Sequence, residues 1–266
     1  MIPEKIDTCI VIPCFNEEAG LDLQTYRSFV LNSPNTMLCF VNDGSTDNTA
    51  DMLQEIAWGL EQQVHILSLK RNVGKAEAVR KGILHCNTYY DHLFIGYLDA
   101  DLSTTLNEFQ EMTNYLKEGV DFAFGSRIMK IGSVIERNNF RFFTGRIIAT
   151  FISKILDIRV YDTQCGCKIF TKELSNLLFK ERFISRWLFD VELFFRMLLK
   201  YDKKTALIKM IEVPLKRWID EGNSKVKISY FFKLWIDLFK INSYYKTLLH
   251  EYSGQPILRQ ESYAQR

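Results

Sequence analysis

Short apolar runs alternate with longer, helically spaced segments through the first 125 residues. The runs fall at Thr8–Ile12, Met37–Val41, Val64–Leu69, Leu93–Leu98 and Phe122–Phe124. Between them, Glu17–Leu31, Asp47–Leu60 and Lys75–Leu84 carry apolar residues at the intervals of amphipathic helices. Strands that are apolar throughout are buried on both faces, so this pattern predicts an α/β fold: a mostly parallel central sheet with flanking helices. After Arg127 the alternation stops. Phe140, Phe143, Ile147, Ile148, Phe151, Ile152 and Ile155 share one helical face within residues 137–157. Residues 187–199 read as a helix and Leu207–Val213 as a strand closed by Pro214. Ile228, Phe231, Phe232, Trp235, Leu238 and Phe239 mark a further amphipathic helix, and Ser253–Arg266 is a polar tail. The chain thus divides at about 127 and 225 into three parts, 1–127, 128–225 and 226–266.

Composition adds little to this picture, but the placement of charge adds more. With 266 residues, 47% of them hydrophobic, the chain is long enough for one large core. The net charge of +2 argues against a nucleic-acid partner. Residues 137–160 and 223–249 nevertheless each carry a net +4, leaving the remainder acidic, and both segments are rich in aromatic side chains. Such helices, apolar on one face and basic on the other, can lie in a membrane interface or pack on the domain itself. No apolar run approaches the roughly 20 residues of a spanning helix. The six cysteines show no zinc spacing, and the start of the chain, with Glu4, Lys5 and Asp7, does not resemble a secretory signal. The expectation is a cytoplasmic protein, peripheral at the cytoplasmic face of a membrane.

In parallel sheets, ligands bind beyond the carboxyl ends of the strands, and the polar motifs of this chain stand there. The first run leads into Pro13-Cys14-Phe15-Asn16-Glu17-Glu18, and the second into Asn42-Asp43-Gly44-Ser45-Thr46-Asp47. The latter suits a turn with a helix cap, or a carboxylate, Asp43, that accepts hydrogen bonds from a nucleoside. The third run leads to Asn72-Val73-Gly74-Lys75-Ala76, where a glycine at a helix entrance permits close backbone approach to a nucleotide. The fourth ends in Asp99-Ala100-Asp101. Two carboxylates two residues apart in extended chain point the same way, repel each other and together suit a hard divalent cation.

In this order the four motifs resemble the family 2 glycosyltransferases. The similarity continues through Gly125-Ser126-Arg127, Asp162-Thr163-Gln164-Cys165-Gly166-Cys167-Lys168 and Arg186-Trp187-Leu188-Phe189-Asp190-Val191-Glu192, which look like the branch that makes polyprenyl-phosphate sugars. One departure is Cys167, where that branch usually has an aromatic residue. The resemblance implies a GT-A fold, with residues 1–127 as its nucleotide-sugar-binding half and 128–225 as its acceptor-binding half. It implies donor contacts from Pro13, Phe15, Glu17, Asp43, Asn72, Gly74, Lys75, Ala100 and Lys225, and Mg²⁺ or Mn²⁺ on Asp99 and Asp101. Acceptor contacts would come from Arg127, Arg137, Arg141, Gln164, Gly166, Lys168 and Trp187, with Asp190 and Arg127 as the catalytic candidates.

The implied reaction is inverting hexose transfer from a nucleoside-diphosphate sugar, UDP-glucose first, to a lipid phosphate. A sugar hydroxyl is the alternative acceptor, and it would need a base at Asp190; an anionic phosphate would not. A sugar nucleotidyltransferase would want a glycine-rich loop after the first strand, which Pro13–Glu18 does not offer. A degenerate binding subunit would have lost the acidic pair, and Asp99 and Asp101 are both present.

Overall fold

A computed structural model describes residues 6–136, 139–219 and 229–252, without the side chains of 139–144 and 229–232. The chain alternates through β1 (Thr8–Cys14), α1 (Leu23–Leu31), β2 (Thr36–Asn42), α2 (Thr49–Ala57) and β3 (Val64–Ser68). It continues through α3 (Lys75–Tyr89), β4 (Phe94–Leu98), α4 (Leu106–Lys117) and β5 (Phe122–Ser126). The second half supplies β6 (Val134–Glu136), α5 (Asn139–Leu156), β7 (Cys167–Thr171), α6 (Lys172–Leu178) and α7 (Phe189–Lys200). Then come α8 (Lys203–Lys209), β8 (Met210–Pro214), β9 (Arg217–Ile219) and α9 (Ser229–Tyr252).

The main sheet has the order β3-β2-β1-β4-β7-β5-β8, while β6 and β9 form a small parallel pair beside it. Its pairs are parallel except where β7 enters between β4 and β5, antiparallel to both. A strand from the second half therefore sits inside the sheet of the first. Side chains alternate between two apolar layers, as strand geometry requires. Ile10, Ile12, Leu38 and Phe40 face the layer of α1, α2 and α4. Cys9, Val11, Cys39 and Val41 face the layer that includes α3, α7 and α9.

Several boundaries differ from the sequence pattern for local reasons. α1 begins only at Leu23, because the Thr25 amide donates to the Asp22 side chain and Glu17–Leu21 turns back on itself. The predicted strand Leu207–Val213 is half helix. The Asp202 carboxylate accepts from Thr205 N–H and starts α8, which delays the strand to Met210. β7 escapes the pattern because Lys168 interrupts an otherwise apolar run, and that lysine is buried. Among the described residues no helix is long and apolar enough to cross a membrane.

Candidate active site

The tips of β1, β2 and β4 and the entrance of α3 open into one cleft of about 1470 Å³. Its walls include, of the residues expected to hold a donor, Pro13, Phe15, Glu17, Asp43, Asn72, Gly74, Lys75, Ala100 and the acidic pair. The loops after β1 and β2 are stapled together. Asn16 N–H donates to Ser45 Oγ, Glu17 N–H to Thr49 Oγ1 at 2.8 Å, and Thr46 N–H to Asn16 Oδ1. Asp43 braces the next loop: its two carboxylate oxygens accept from Val73 N–H and Gly74 N–H, each at 2.8 Å. Gly74 stands at φ 94°, a left-handed conformation that glycine adopts without strain. Asp43 thus both shapes the wall beside Asn72 and Gly74 and lines it.

Asp99 and Asp101 are not equivalent. Asp99 Oδ1 lies 2.5 Å from the Lys75 ammonium, and its carboxylate occupies the space where a side chain at Gly166 would be. A Cβ on Gly166 would stand 1.9 Å from Asp99 Oδ2, so any side chain there would displace the carboxylate. Asp101 accepts from Ser103 N–H, and Leu102 bends the chain sharply behind it at φ 53°. Burial, with the Asp99 charge added, raises the Asp101 carboxyl above its ordinary value. The oxygen chemistry of the pair suits Mg²⁺ or Mn²⁺.

The acceptor half departs further from expectation. Arg127 and Gln164 line the cleft, and so does Trp187, which is 40% exposed. Arg127 is already committed, however. Its Nε and Nη2 grip Asp162 at 2.6 and 2.9 Å, and its guanidinium lies over the Trp218 ring. Burial opposes ionisation of Asp162, but the Arg127 charge and its hydrogen bonds prevail and hold the carboxyl at about 2. Gly166 lies against the Asp99 carboxylate, and its carbonyl accepts from Asp99 N–H. Lys168, expected at the acceptor, has no exposed surface; its ammonium bonds Cys165 C=O and Asp190 Oδ1, both at 2.5 Å. Tyr97 Oη donates to the same Asp190 oxygen. Neither Lys168 nor Asp190 forms the cleft wall; they support it from below. Cys167 points away too, with its thiol on Met112 Sδ. Arg137, the Arg141 side chain and Lys225 lie outside the described residues.

Beyond the strand tips the cleft continues between α5 and α9. Gly145, Ile148, Ala149 and Leu234 give this arm an apolar lining, and Arg146, Lys233 and Lys240 add positive charge. Arg146 stacks 3.7 Å above the Tyr161 ring. Arg146, Lys233 and Lys240 were visible in the sequence only as members of its two basic segments. Arg186 also lines the cleft, beside Gly74.

Residues 9–179 match the family model Glycosyl transferase family 2. The chain is 32% identical over 260 residues to dolichyl-phosphate beta-glucosyltransferase ALG5C of Trichomonas vaginalis, covering 92% of this chain and 73% of that one. It is 28% identical to dolichyl-phosphate beta-glucosyltransferase of Saccharomyces cerevisiae, over 85% and 71% of the two chains. The fold is shared with glucosyl-3-phosphoglycerate synthase from Mycobacterium tuberculosis, whose complex with Mn²⁺ and UDP-glucose superposes with a TM-score of 0.64. That likeness has 15% identity and covers 89% of this chain and 79% of that one. The α/β architecture is therefore GT-A, and the chain belongs to glycosyl transferase family 2, in its dolichyl-phosphate glucosyltransferase branch.

Proposed function

We propose that this enzyme transfers glucose from UDP-glucose to a dolichyl or other polyprenyl phosphate, with inversion, while lying peripherally on the cytoplasmic face of a membrane. The observation that carries this reading is the continuity of the cleft. It runs from an acidic pair suited to a metal-bound diphosphate into an arm that is basic and apolar together. A lipid phosphate presents a charge and a greasy chain, and the arm between α5 and α9 offers both complements. The names of the relatives and the UDP-glucose held by the structural neighbour agree with it.

Asp101, with Asp99 beside it, would hold Mg²⁺ or Mn²⁺, which when bound supplies Lewis-acid charge for the departing diphosphate. A phosphate oxygen of the acceptor forms the new bond to the sugar C1. The C1–O bond to UDP breaks with its electron pair leaving on the diphosphate. That nucleophile is anionic near neutral pH and needs no proton removed. Asp190 accordingly acts as a structural anchor: with Lys168 and Tyr97 it fixes the floor between β4 and β7. Paired in this way, Asp190 is poorly placed to serve as the base that a sugar hydroxyl would require.

The membrane reading rests on one surface. Phe151 of α5 packs edge-on against Trp235 of α9. Ile147, Phe151, Ile236 and Phe239 are each about half exposed or more. Lys154, Lys233, Lys240 and Lys246 are on the same two helices, and each basic residue near an anionic surface adds about 1 kcal/mol.

The test is incubation with labelled UDP-glucose, dolichyl phosphate and either metal, followed by solvent extraction. An acid-labile, lipid-soluble product is expected. Label appearing only in water-soluble saccharide would overturn the lipid-phosphate reading.

A further inference from the structure

We infer that Arg186 is a phosphate-binding residue of the cleft, supplying the guanidinium that Arg127 has committed elsewhere. Three other cations that line the cleft are already engaged. Lys75 is bound to Asp99 and Arg127 is forked on Asp162. Arg146, further along, is stacked on Tyr161 and donates to its carbonyl. Arg186 differs. Its guanidinium meets no described carboxylate, and its only described hydrogen bond is a long one, Nη2 to Asn72 Oδ1 at 3.4 Å.

The position is specific. A Cβ on Gly74 would stand 2.6 Å from Arg186 Nε, so the guanidinium lies directly on the glycine at the entrance of α3. Asn72, Gly74 and Lys75 of the donor wall are its immediate surroundings, while its own loop leads through Trp187 into α7 and the acceptor half. A planar guanidinium here, on the seam of the two halves, can bind two phosphate oxygens at once.

Its loop is also fixed from behind. Ile184 N–H and Ser185 N–H donate to the two oxygens of Glu192, which is fully buried and also accepts from Tyr245 Oη of α9. Ser185 Oγ donates to Asp237 of α9 and accepts from the amides of Trp187 and Leu188. The backbone on either side of Arg186 is therefore ordered before substrate arrives, which lowers the entropic cost of engaging a phosphate.

This inference rests on the glycosyl-transfer reading and takes a phosphate oxyanion as ligand, from the donor diphosphate or the lipid phosphate. The test is Arg186→Ala and Arg186→Lys in the full chain, with KM measured separately for UDP-glucose and dolichyl phosphate. UDP-glucose binding by calorimetry with Mn²⁺ gives a readout independent of turnover. The alanine variant should raise one KM roughly 10-fold or more, with lysine recovering only part. A rise for UDP-glucose assigns the diphosphate, and a rise for dolichyl phosphate assigns the acceptor. Arg186 is exposed, so the unfolding midpoint should not move. If both KM values and the calorimetric affinity match the unaltered enzyme, Arg186 has no such role. If the unaltered enzyme itself glucosylates no lipid phosphate, it is the broader reading that fails.

Discussion

Lys168 and Asp190 meet at 2.5 Å inside the molecule, where the ammonium has no contact with solvent and the carboxylate almost none. Each neutralises the other, and β7 thereby fastens to α7 beneath the acceptor half. Removing either partner leaves a buried charge. Lys168→Met should therefore cost about 3–5 kcal/mol in a denaturant titration. A loss below 1 kcal/mol would mean that the pair is not buried in solution as described.

Asp190→Asn separates the two acceptor chemistries. Normalised to folded protein, transfer to dolichyl phosphate should fall only modestly, by roughly 10-fold or less, since no proton has to be taken. Near-complete loss of kcat would instead identify Asp190 as a base and point to a hydroxyl acceptor.

Gly166→Ala should injure the site more than the fold. The added methyl meets the Asp99 carboxylate at 1.9 Å, and Asp99 must swing away from Lys75. Weakened Mn²⁺-dependent binding of UDP-glucose is expected by calorimetry, with activity down about 100-fold, a loss of roughly 2.7 kcal/mol of transition-state stabilisation. Unchanged nucleotide affinity would show that Asp99 has no part in the donor site.

The Arg127–Asp162 fork makes stability depend on pH at the acid end. Asp162 is held at about 2, below its ordinary 3.8, so the pair stabilises the fold fully above about pH 4. That contribution, about 2 kcal/mol, is lost as pH falls towards 2. Asp162→Asn should flatten this part of the stability profile. A profile identical to that of the unaltered enzyme would contradict the pairing.

Membrane attachment is best tested by point substitution. Deleting the chain from residue 226 would remove Leu238, Ile241 and Tyr245 from the core along with the exposed face of α9. Phe239→Glu alters that face alone, at a residue 72% exposed. It should reduce flotation with anionic vesicles, and added salt should reduce it further. Equal flotation of variant and unaltered protein would remove this surface from consideration.

The donor side was legible in the sequence because it is local: each motif follows its own strand, and sheet topology alone gathers Asp43, Gly74 and Asp101 into one cleft. The acceptor side was not, because its chemistry depends on distant partners. Nothing near Arg127 announces Asp162, which is 35 residues away. Lys168 reads as a cationic ligand until β7 is seen to bury it. Gly166 looked like part of an acceptor loop, and only the packing of β7 beside β4 puts it against Asp99. Arg186 stood in a recognised motif, but its contact with Gly74 crosses more than 100 residues.

The reversed strand β7 also sets an order of assembly. Leu98, at the end of β4, pairs with Cys167, and Asp99 N–H donates to Gly166 C=O. The acidic pair therefore has no finished seat while the chain grows through residues 99 to 165. A ribosome releasing only the first 127 residues would yield all the donor motifs and no completed donor site. Closing the long loop between β4 and β7 is slow in entropic terms, so competence to bind metal and nucleotide should be among the last properties this protein acquires as it folds.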